Sequence, residues 1–266
     1  MAIDVAVLLS AGRHPVSGRG RRAPGDARAL ELALQLSEPR AIHAGDPATP
    51  SLRDYLGMGL DAVTVLDLPS EADPVSALIR HLEAASPDLL LTGCRAENGE
   101  DSGMVPYIVA EALGFAMVPG VAEIISINDG AVRLLQALPR GQRRAITVPL
   151  PLVATIDMAA PPPRQSAFAM ARRGRIYIVA AEAVSDGERA HWETRPARRR
   201  PRRLGVPTSG LSAAERLSAL TDAPTGAGRQ LVGPTPHEAA QTIYDYLIEQ
   251  RILTPPAKAE TKDQSS

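Results

Sequence analysis

Short apolar runs alternate with amphipathic segments along the first 114 residues of the chain. Four runs rich in Val, Leu and Ile have the length and bounds of buried parallel strands: 3–9, 41–45, 61–68 and 88–93. Each is followed by a segment whose apolar positions have helical spacing: 23–39, 51–61, 75–86 and 102–114. Strands that alternate with helices through short connections predict an α/β domain built on a doubly wound parallel sheet.

Polar and glycine residues mark the ends of several of these predicted helices. Asp26 is the predicted N-cap of the first helix and Asp73 that of the third, because a short carboxylate can accept from the free amides of the first turn. Gly114 is a suitable residue to end the fourth helix in a left-handed conformation. Residues 12–22, rich in glycine and arginine, are predicted to form a loop.

The pattern changes after residue 114. Two alternating runs within 121–138 flank Asp129-Gly130, which predicts a β-hairpin. Residues 145–157 are expected to be extended, although they contain two prolines. Residues 160–179 are predicted to contain a proline stop, a short helix, an arginine-rich turn and a further strand.

The C-terminal part is predicted to be an arm followed by a helix. Residues 191–210 are basic and contain prolines without apolar periodicity, which is typical of an exposed linker. Thr235 and Glu238 have the spacing of a capping box before an amphipathic helix that carries Ile243 and Tyr246. The predicted organisation is an α/β nucleotide-binding domain, a basic arm, a C-terminal helix and a disordered tail, at residues 1–190, 191–234, 235–253 and 254–266.

Charge and composition exclude several classes of protein. The formal net charge is −1, so no overall field draws the chain to nucleic acid, and the basic run Arg195–Arg203 is interpreted as a solvated arm. No apolar run approaches the roughly 20 residues that span a bilayer, so direct membrane insertion is not expected. The N-terminal sequence lacks the features of a signal peptide, and a single cysteine is typical of a reducing compartment such as the cytoplasm.

A ligand-binding site is expected in the loops after the first, second and fourth strands, because doubly wound sheets bind ligands at the carboxyl ends of their strands. The chain has no dinucleotide fingerprint, Walker sequence, nucleophile elbow or paired metal motif. Cys94 is interpreted as a buried, inert thiol and the five histidines as surface or capping residues. The carboxylates Glu97, Glu100 and Asp101 are interpreted as a solvated acidic loop without catalytic residues, so we predict a binding subunit rather than an enzyme.

Four segments in sequence order resemble the beta subunit of electron transfer flavoproteins. The segment APGDARALELALQLSE resembles a proline-bearing helix start of that family, and LLLTGCRAENGEDSGMVPYIVAEALG resembles its glycine-bearing loop and helix. The segment LPLVATIDMAAPPPRQSAFAM resembles its Pro-Arg segment, and PTPHEAAQTIYDYLIEQRIL its closing helix. The likeness extends to about residue 253.

The resemblance implies an adenine nucleotide α-hydrolase-like fold and an electron carrier. Such a beta subunit pairs with an alpha subunit to hold one FAD, and passes electrons from a flavin-dependent dehydrogenase toward a membrane quinone oxidoreductase. It also implies a structural AMP in the beta subunit itself. Three alternatives remain open: a bifurcating beta subunit with its own FAD, a stand-alone adenine-nucleotide-binding regulatory protein, and a nucleotide-dependent transferase.

The resemblance also assigns residues to sites. The loop from Gly93 to Ser102 would wrap the AMP, with phosphate at backbone amides and at a helix starting near Ser102. The implied cofactor-binding residues are Leu8, His14, Ala23, Pro24, Gly25, Asp26, Ala44, Gly93, Cys94, Arg95, Ala96, Asp101, Ser102 and Gly103, with His14 toward the flavin. The implied dehydrogenase-binding residues are Phe168, Met170 and Arg172. The chain departs from the family pattern where Ala23 replaces an asparagine and Cys94-Arg95 a Lys-Gln pair.

Overall fold

The computed structural model describes residues 3–14, 16–97, 99, 101–185, 187, 191, 193, 212, 214, 231–249 and 252–253. The chain divides into two compact units, Met1–Thr194 and Arg195–Ser266. Among the described residues, the first unit contains a large β-sheet with its helices, and the second unit contains one long helix.

One large sheet organises the first unit. Its strands in the described residues are β1 Val5–Leu8, β4 Arg40–Gly45, β5 Ala62–Asp67, β6 Leu89–Gly93, β7 Ala116–Asn128, β8 Ala131–Ala137, β9 Arg143–Pro149, β10 Leu152–Ile156 and β11 Arg175–Ala180. They lie in the order β11-β5-β4-β1-β6-β10-β7-β8-β9. The first seven strands of this order pair in parallel, whereas β7–β8 and β8–β9 are antiparallel. The predicted doubly wound α/β fold with an added hairpin is therefore confirmed.

Helices cover both faces of the sheet because successive residues of each buried strand point to opposite sides. In β1, Val5 and Val7 belong to the core under α1 and α2, whereas Ala6 and Leu8 belong to the core under α3 and α4. The chain runs from β1 outward to β4 and β5 and then returns to β6 on the other side of β1. The helices are α1 Pro24–Leu36, α2 Leu52–Leu56, α3 Pro74–Ala85, α4 Val105–Leu113 and α5 Phe168–Arg173.

Three local predictions are confirmed. The Asp73 carboxylate caps α3 by accepting from the amides of Val75 at 2.9 Å and Ser76 at 3.2 Å. Asp129 and Gly130 form the turn between β7 and β8, with φ values of 50° and 73°. Gly114 ends α4 in the left-handed region, at φ 67°.

The structure differs in detail from three other predictions. The predicted loop 12–22 contains a separate antiparallel pair, β2 Ala11–Arg13 and β3 Gly20–Arg22. The segment 145–157 is largely extended as predicted, but it forms parts of two strands: β9 lies at one edge of the sheet and β10 lies between β6 and β7. Helix α4 begins at Val105, three positions later than predicted, and its second residue is a proline, which suits the first turn of a helix.

The second unit contains α6, Pro236–Glu249. The predicted capping box is confirmed: the Glu238 carboxylate accepts from the Thr235 amide at 2.9 Å, and the Glu238 amide donates to the Thr235 hydroxyl at 3.3 Å. Ile243 and Tyr246 on this helix are exposed. The run Arg195–Arg203 and the tail 254–266 lie outside the described residues. Within the described part of the chain, no helix has the length and apolar character needed to cross a bilayer.

Candidate nucleotide-binding site

A cavity of about 420 Å³ opens at the carboxyl ends of β1, β4, β5 and β6. This edge includes the topological switch point between β1 and β6, where doubly wound sheets bind ligands. The cavity collects seven residues of the predicted cofactor site: Leu8, Asp26, Ala44, Gly93, Arg95, Ala96 and Gly103. The location expected from the strand pattern therefore coincides with a real concavity.

Asp26 forms the floor of the cavity and joins three elements. Its buried carboxylate accepts from both the amide and the hydroxyl of Ser10, each at 2.6 Å, and from the Gly93 amide at 3.0 Å. The predicted N-cap role is therefore wrong: Ala23 occupies the cap position, and the Asp26 side chain is directed to the ends of β1 and β6. A carboxylate in the first turn of α1 also interacts favourably with the helix dipole.

The environment of Asp26 alters its protonation. Burial raises the pKa of this carboxyl from 3.8 to about 6, because the charged form loses its hydration. Hydrogen bonds from Ser10 and Gly93 act in the opposite direction, since they stabilise the carboxylate, and the nearby Glu97 carboxylate adds a smaller upward effect on the pKa. At neutral pH the floor of the cavity is therefore a fully hydrogen-bonded anion.

Two glycines, Gly93 and Gly25, lie where α1 approaches the end of β6. A Cβ on Gly93 would overlap the Asp26 carboxylate and lie 3.0 Å from the Asp26 amide nitrogen. A Cβ on Gly25 would meet the Gly93 Cα at 3.4 Å, which is an ordinary contact. Gly93 is therefore required by the packing, whereas Gly25 is not.

The wall beside Gly93 carries positive charge. Arg95, from the loop after β6, and Arg13, from β2, both line the cavity. Arg21 of β3 pairs with Glu97 of the same loop at 2.8 Å, so an ion pair joins the β2–β3 hairpin to this loop. Two guanidinium groups beside glycine backbone are suited to a phosphate.

The start of α4 offers fewer amide donors than expected. Ser102 Oγ accepts from the Met104 amide at 3.0 Å, and the Tyr107 amide donates to Met104 O at 3.0 Å. Pro106 has no N–H group, so in the described first turn the amide of Val105 is the one left for a ligand. Gly103 and Val105 line the cavity, whereas Ser102 does not, and phosphate binding by this helix start stays a prediction.

The opposite wall is mostly apolar and was not foreseen. Leu68, Pro69, Ala72 and Leu78, from the end of β5 and from α3, present a surface suited to a flat heterocycle. His43, Gly45 and Asp46 complete the wall at the end of β4. His43 was predicted to be a surface or capping residue and is buried, with 6% of its surface exposed. The position of His43 in the second predicted strand, close to its carboxyl end, was the sequence signal that could have identified it as a site residue.

Several residues that the resemblance assigned to cofactors do not line the cavity. Ala23 is buried beside it, Pro24 borders a separate shallow depression, and Gly25 contacts Gly93. Asp101 and Ser102 lie in the exposed part of the loop. His14 is exposed at the end of β2, and its Nδ1 accepts from the Ser17 amide at 3.2 Å.

Cys94 also lies outside the cavity lining, and the residue is not fully buried as predicted. The residue as a whole is exposed, but its sulfur turns inward, 3.3 Å from Ile156 O. Partial burial raises the pKa of the thiol, so the reactive thiolate is disfavoured at neutral pH.

The acidic loop shows no arrangement for catalysis in the described residues. Glu97 is engaged by Arg21, and Asp101 is exposed. Glu100 lies outside the described residues. No group of three His, Cys, Asp or Glu side chains in the described part of the chain could hold a metal ion.

A second surface, on α5, contains the predicted partner-binding residues. The side chain of Phe168 is 75% exposed, and the Arg172 guanidinium lies 5.8 Å from the ring centroid. Met170 is also exposed. We call Phe168, Met170 and Arg172 the α5 face.

The backbone of α5 is firmly held although its side chains are exposed. Ala167 donates its amide to Gly57 O at 2.8 Å, and Arg53 donates to Ala171 O at 3.1 Å. Before α5, Arg164 binds the nearly buried Glu31 of α1 through Nε at 2.8 Å and Nη2 at 2.9 Å. These Arg164 hydrogen bonds lower the pKa of the Glu31 carboxyl.

The fold and cavity define an α/β protein with a ligand site at its switch point, and comparison with known proteins defines the family. A family model described as "Electron transfer flavoprotein domain" matches residues 17–184. The electron transfer flavoprotein subunit beta of Chromohalobacter salexigens is 46% identical over 258 residues, which cover 95% of this chain and 96% of that protein. The chain therefore belongs to the electron transfer flavoprotein family, as a beta subunit.

Proposed function

We propose that this chain pairs with an alpha subunit to form an electron transfer flavoprotein in the cytoplasm. The heterodimer takes electrons from a flavin-dependent dehydrogenase and delivers them toward a membrane quinone oxidoreductase. The chain supplies no reacting side chain of its own; it completes the cofactor site and presents a docking surface. Family membership supports the carrier role, and the subunit designation of the Chromohalobacter salexigens relative supports the pairing.

The cavity at the ends of β1, β4, β5 and β6 is the observation that carries the nucleotide part of this proposal. We assign it to a structural AMP. Arg13, Arg95 and the glycine-bearing loop suit the phosphate, and the apolar wall from β5 and α3 suits the base. Its volume of about 420 Å³ lies toward the small end of ligand pockets, which favours a mononucleotide over a dinucleotide.

The flavin is assigned to a site shared with the alpha subunit, where bound FAD supplies the electron-transfer chemistry. His14 is the residue of this chain proposed to contact it. Because His14 Nδ1 accepts from backbone amides, the neutral ring carries its proton on Nε2, which can donate to a flavin acceptor. The ring is exposed, as a contact to a shared cofactor requires.

The α5 face is proposed to bind the dehydrogenase. An exposed aromatic side chain on a fixed backbone loses little entropy on docking and can fill a pocket of a partner. Arg172 covers one side of the Phe168 ring and adds positive charge to the same patch. This arrangement suits a partner that offers an apolar pocket with acidic residues at its rim.

Cofactor stoichiometry tests the proposal. We would co-express the full chain with its candidate alpha subunit, purify the complex and quantify the FAD and AMP that it releases on denaturation. One FAD and one AMP per heterodimer are expected. Two FAD would instead identify a bifurcating beta subunit, whereas a stable monomer that exchanges nucleotide reversibly would identify a stand-alone regulatory protein.

A further inference from the structure

His43 is a buried imidazole at the cavity whose two nitrogens are in different situations. Its Nδ1 lies 2.8 Å from Leu9 O at the inner side of the ring. A carbonyl oxygen only accepts, so the proton of the neutral ring must be on Nδ1. Nε2 then carries a lone pair and is an acceptor.

The acceptor at Nε2 is not used by the protein. His43 makes no other hydrogen bond within the described part of the chain. Burial lowers the pKa of His43, so the ring is neutral at physiological pH and Nε2 keeps its lone pair. Nε2 is not among the buried unpaired side-chain atoms of the described residues, and His43 lines the cavity, so this nitrogen is accessible to a donor group of a bound ligand.

Gly45 keeps Nε2 accessible. Its φ of 148° lies in the region that favours glycine, and a Cβ there would meet His43 Nε2 at 3.0 Å as its nearest neighbour. Gly45 lines the same cavity as His43. The glycine therefore leaves open space beside the one atom of the ring that lacks a partner.

We infer that His43 is a specificity-determining residue of the nucleotide site, whose Nε2 accepts a hydrogen bond from an N–H or O–H group of the bound nucleotide. This inference rests on the proposed AMP function of the cavity. Two groups of AMP have the required chemistry, the adenine amino group and the ribose hydroxyls. A nucleotide that presents an acceptor or no polar group at this place leaves Nε2 unpaired and binds more weakly.

Nucleotide analogues identify the donor. The purified full chain, freed of nucleotide, is titrated with AMP, with inosine monophosphate, and with 2′-deoxy and 3′-deoxy AMP. Inosine monophosphate replaces the amino donor by a carbonyl acceptor, and each deoxy analogue removes one hydroxyl. We expect one of the three analogues to bind the wild-type chain about tenfold more weakly than AMP.

The His43→Asn variant tests whether His43 causes this preference. An asparagine amide can still donate to Leu9 O but has no atom at the place of Nε2. We expect the variant to bind AMP about tenfold more weakly and to lose the preference over the disfavoured analogue. A purely structural role of His43 could explain a lower affinity for AMP in the variant. It would not explain the loss of the preference for AMP over the disfavoured analogue.

A measurement on the wild-type chain covers the case in which the variant does not fold. With ¹⁵N-labelled histidine, the Nε2 resonance of the ring that is protonated at Nδ1 should move on addition of AMP, while the Nδ1 resonance stays that of a protonated nitrogen. The inference about His43 is overturned if AMP binds without moving the Nε2 resonance, or if the His43→Asn variant retains the full preference for AMP. Either result would leave the proposed AMP function of the cavity intact. A wild-type chain that binds no AMP overturns the proposed function of the cavity itself.

Discussion

The junction beneath the cavity and the α5 face are built in opposite ways. At the junction, Asp26, Ser10 and Tyr55 direct their polar atoms to one another or to backbone, so side chains join β1, β6, α1 and α2. On the α5 face the backbone is anchored, whereas Phe168 and Met170 are exposed. Substitutions at the junction should therefore affect both folding and the ligand site. Substitutions on the α5 face should change the binding of a partner without changing the fold.

Gly93→Ala should produce the largest effect. The new Cβ would overlap the Asp26 carboxylate, and separating α1 from β6 would break the hydrogen bond from the Gly93 amide. We expect the free energy of unfolding to fall by about 4 kcal/mol, measured by chemical denaturation. Gly25→Ala is the matched control and should change it by less than about 1 kcal/mol, since its Cβ makes an ordinary contact. Equal losses in the two variants would contradict the packing argument.

Asp26→Asn should change how stability depends on pH. The folded-state pKa of about 6 lies above the ordinary 3.8, so the folded chain binds the proton more tightly than the unfolded chain. The contribution of Asp26 to the free energy of unfolding is therefore greatest below about pH 4 and declines by about 3 kcal/mol as the pH rises through 6.

The neutral amide of the variant lacks this titration. The difference in free energy of unfolding, wild type minus variant, should therefore fall between about pH 4 and about pH 7, and denaturant titrations across that range measure it. A difference that rises with pH would mean that the hydrogen bonds from Ser10 and Gly93 outweigh the burial of the carboxylate.

Tyr55→Phe should have a smaller effect on the same junction. The buried Tyr55 hydroxyl accepts from the Ala23 amide at 2.7 Å and donates to Ser10 O at 2.9 Å. Its removal leaves both groups unpaired, and we expect a loss of about 2 kcal/mol in thermal or chemical unfolding. The exposed Tyr107 is the control, for which a change to phenylalanine should be neutral within about 0.5 kcal/mol. Similar results at both tyrosines would show that the bridge contributes nothing.

Phe168→Ala should have the smallest effect on the fold. With 75% of its surface exposed, the side chain contributes little to stability, and we expect a change below about 0.5 kcal/mol with flavin retained. The KM of a flavin dehydrogenase for the heterodimer should nevertheless rise at least about tenfold, as for an interface anchor. Ile125→Ala, at another exposed apolar side chain, is the control. If the dehydrogenase reduces the Phe168→Ala heterodimer with unchanged kinetics, the proposed docking role of the α5 face is contradicted.

Local sequence signals were sufficient for much of the fold. Asp73, Gly114 and the Asp129-Gly130 turn act within a few residues of themselves, and the structure has them as predicted. The position of β10 between β6 and β7 could not be found in this way, because it depends on pairing between distant segments. The β2–β3 hairpin was missed for a different reason: its pairing is local, but its glycines and arginines have little intrinsic preference for strands.

The site was predictable in position but not in detail. The strand alternation indicated which loops would meet, and the family resemblance indicated Asp26, Gly93 and Arg95. Asp26 was misread because a carboxylate at a helix start has two possible partners, its own helix or the neighbouring strands, and the local sequence does not distinguish them. His43 was missed because its burial comes from the packing of β4 between β1 and β5.

The strand order also constrains how the protein can be made. The pairs β10–β6 and β11–β5 join residues that emerge from the ribosome far apart in time, and β10 occupies the middle of the sheet. The edge of β6 therefore stays uncovered until synthesis has passed residue 156, and the edge of β5 until it has passed residue 180. Nascent chains of this protein should depend on chaperones during that interval, and truncation before β11 should leave an aggregation-prone edge.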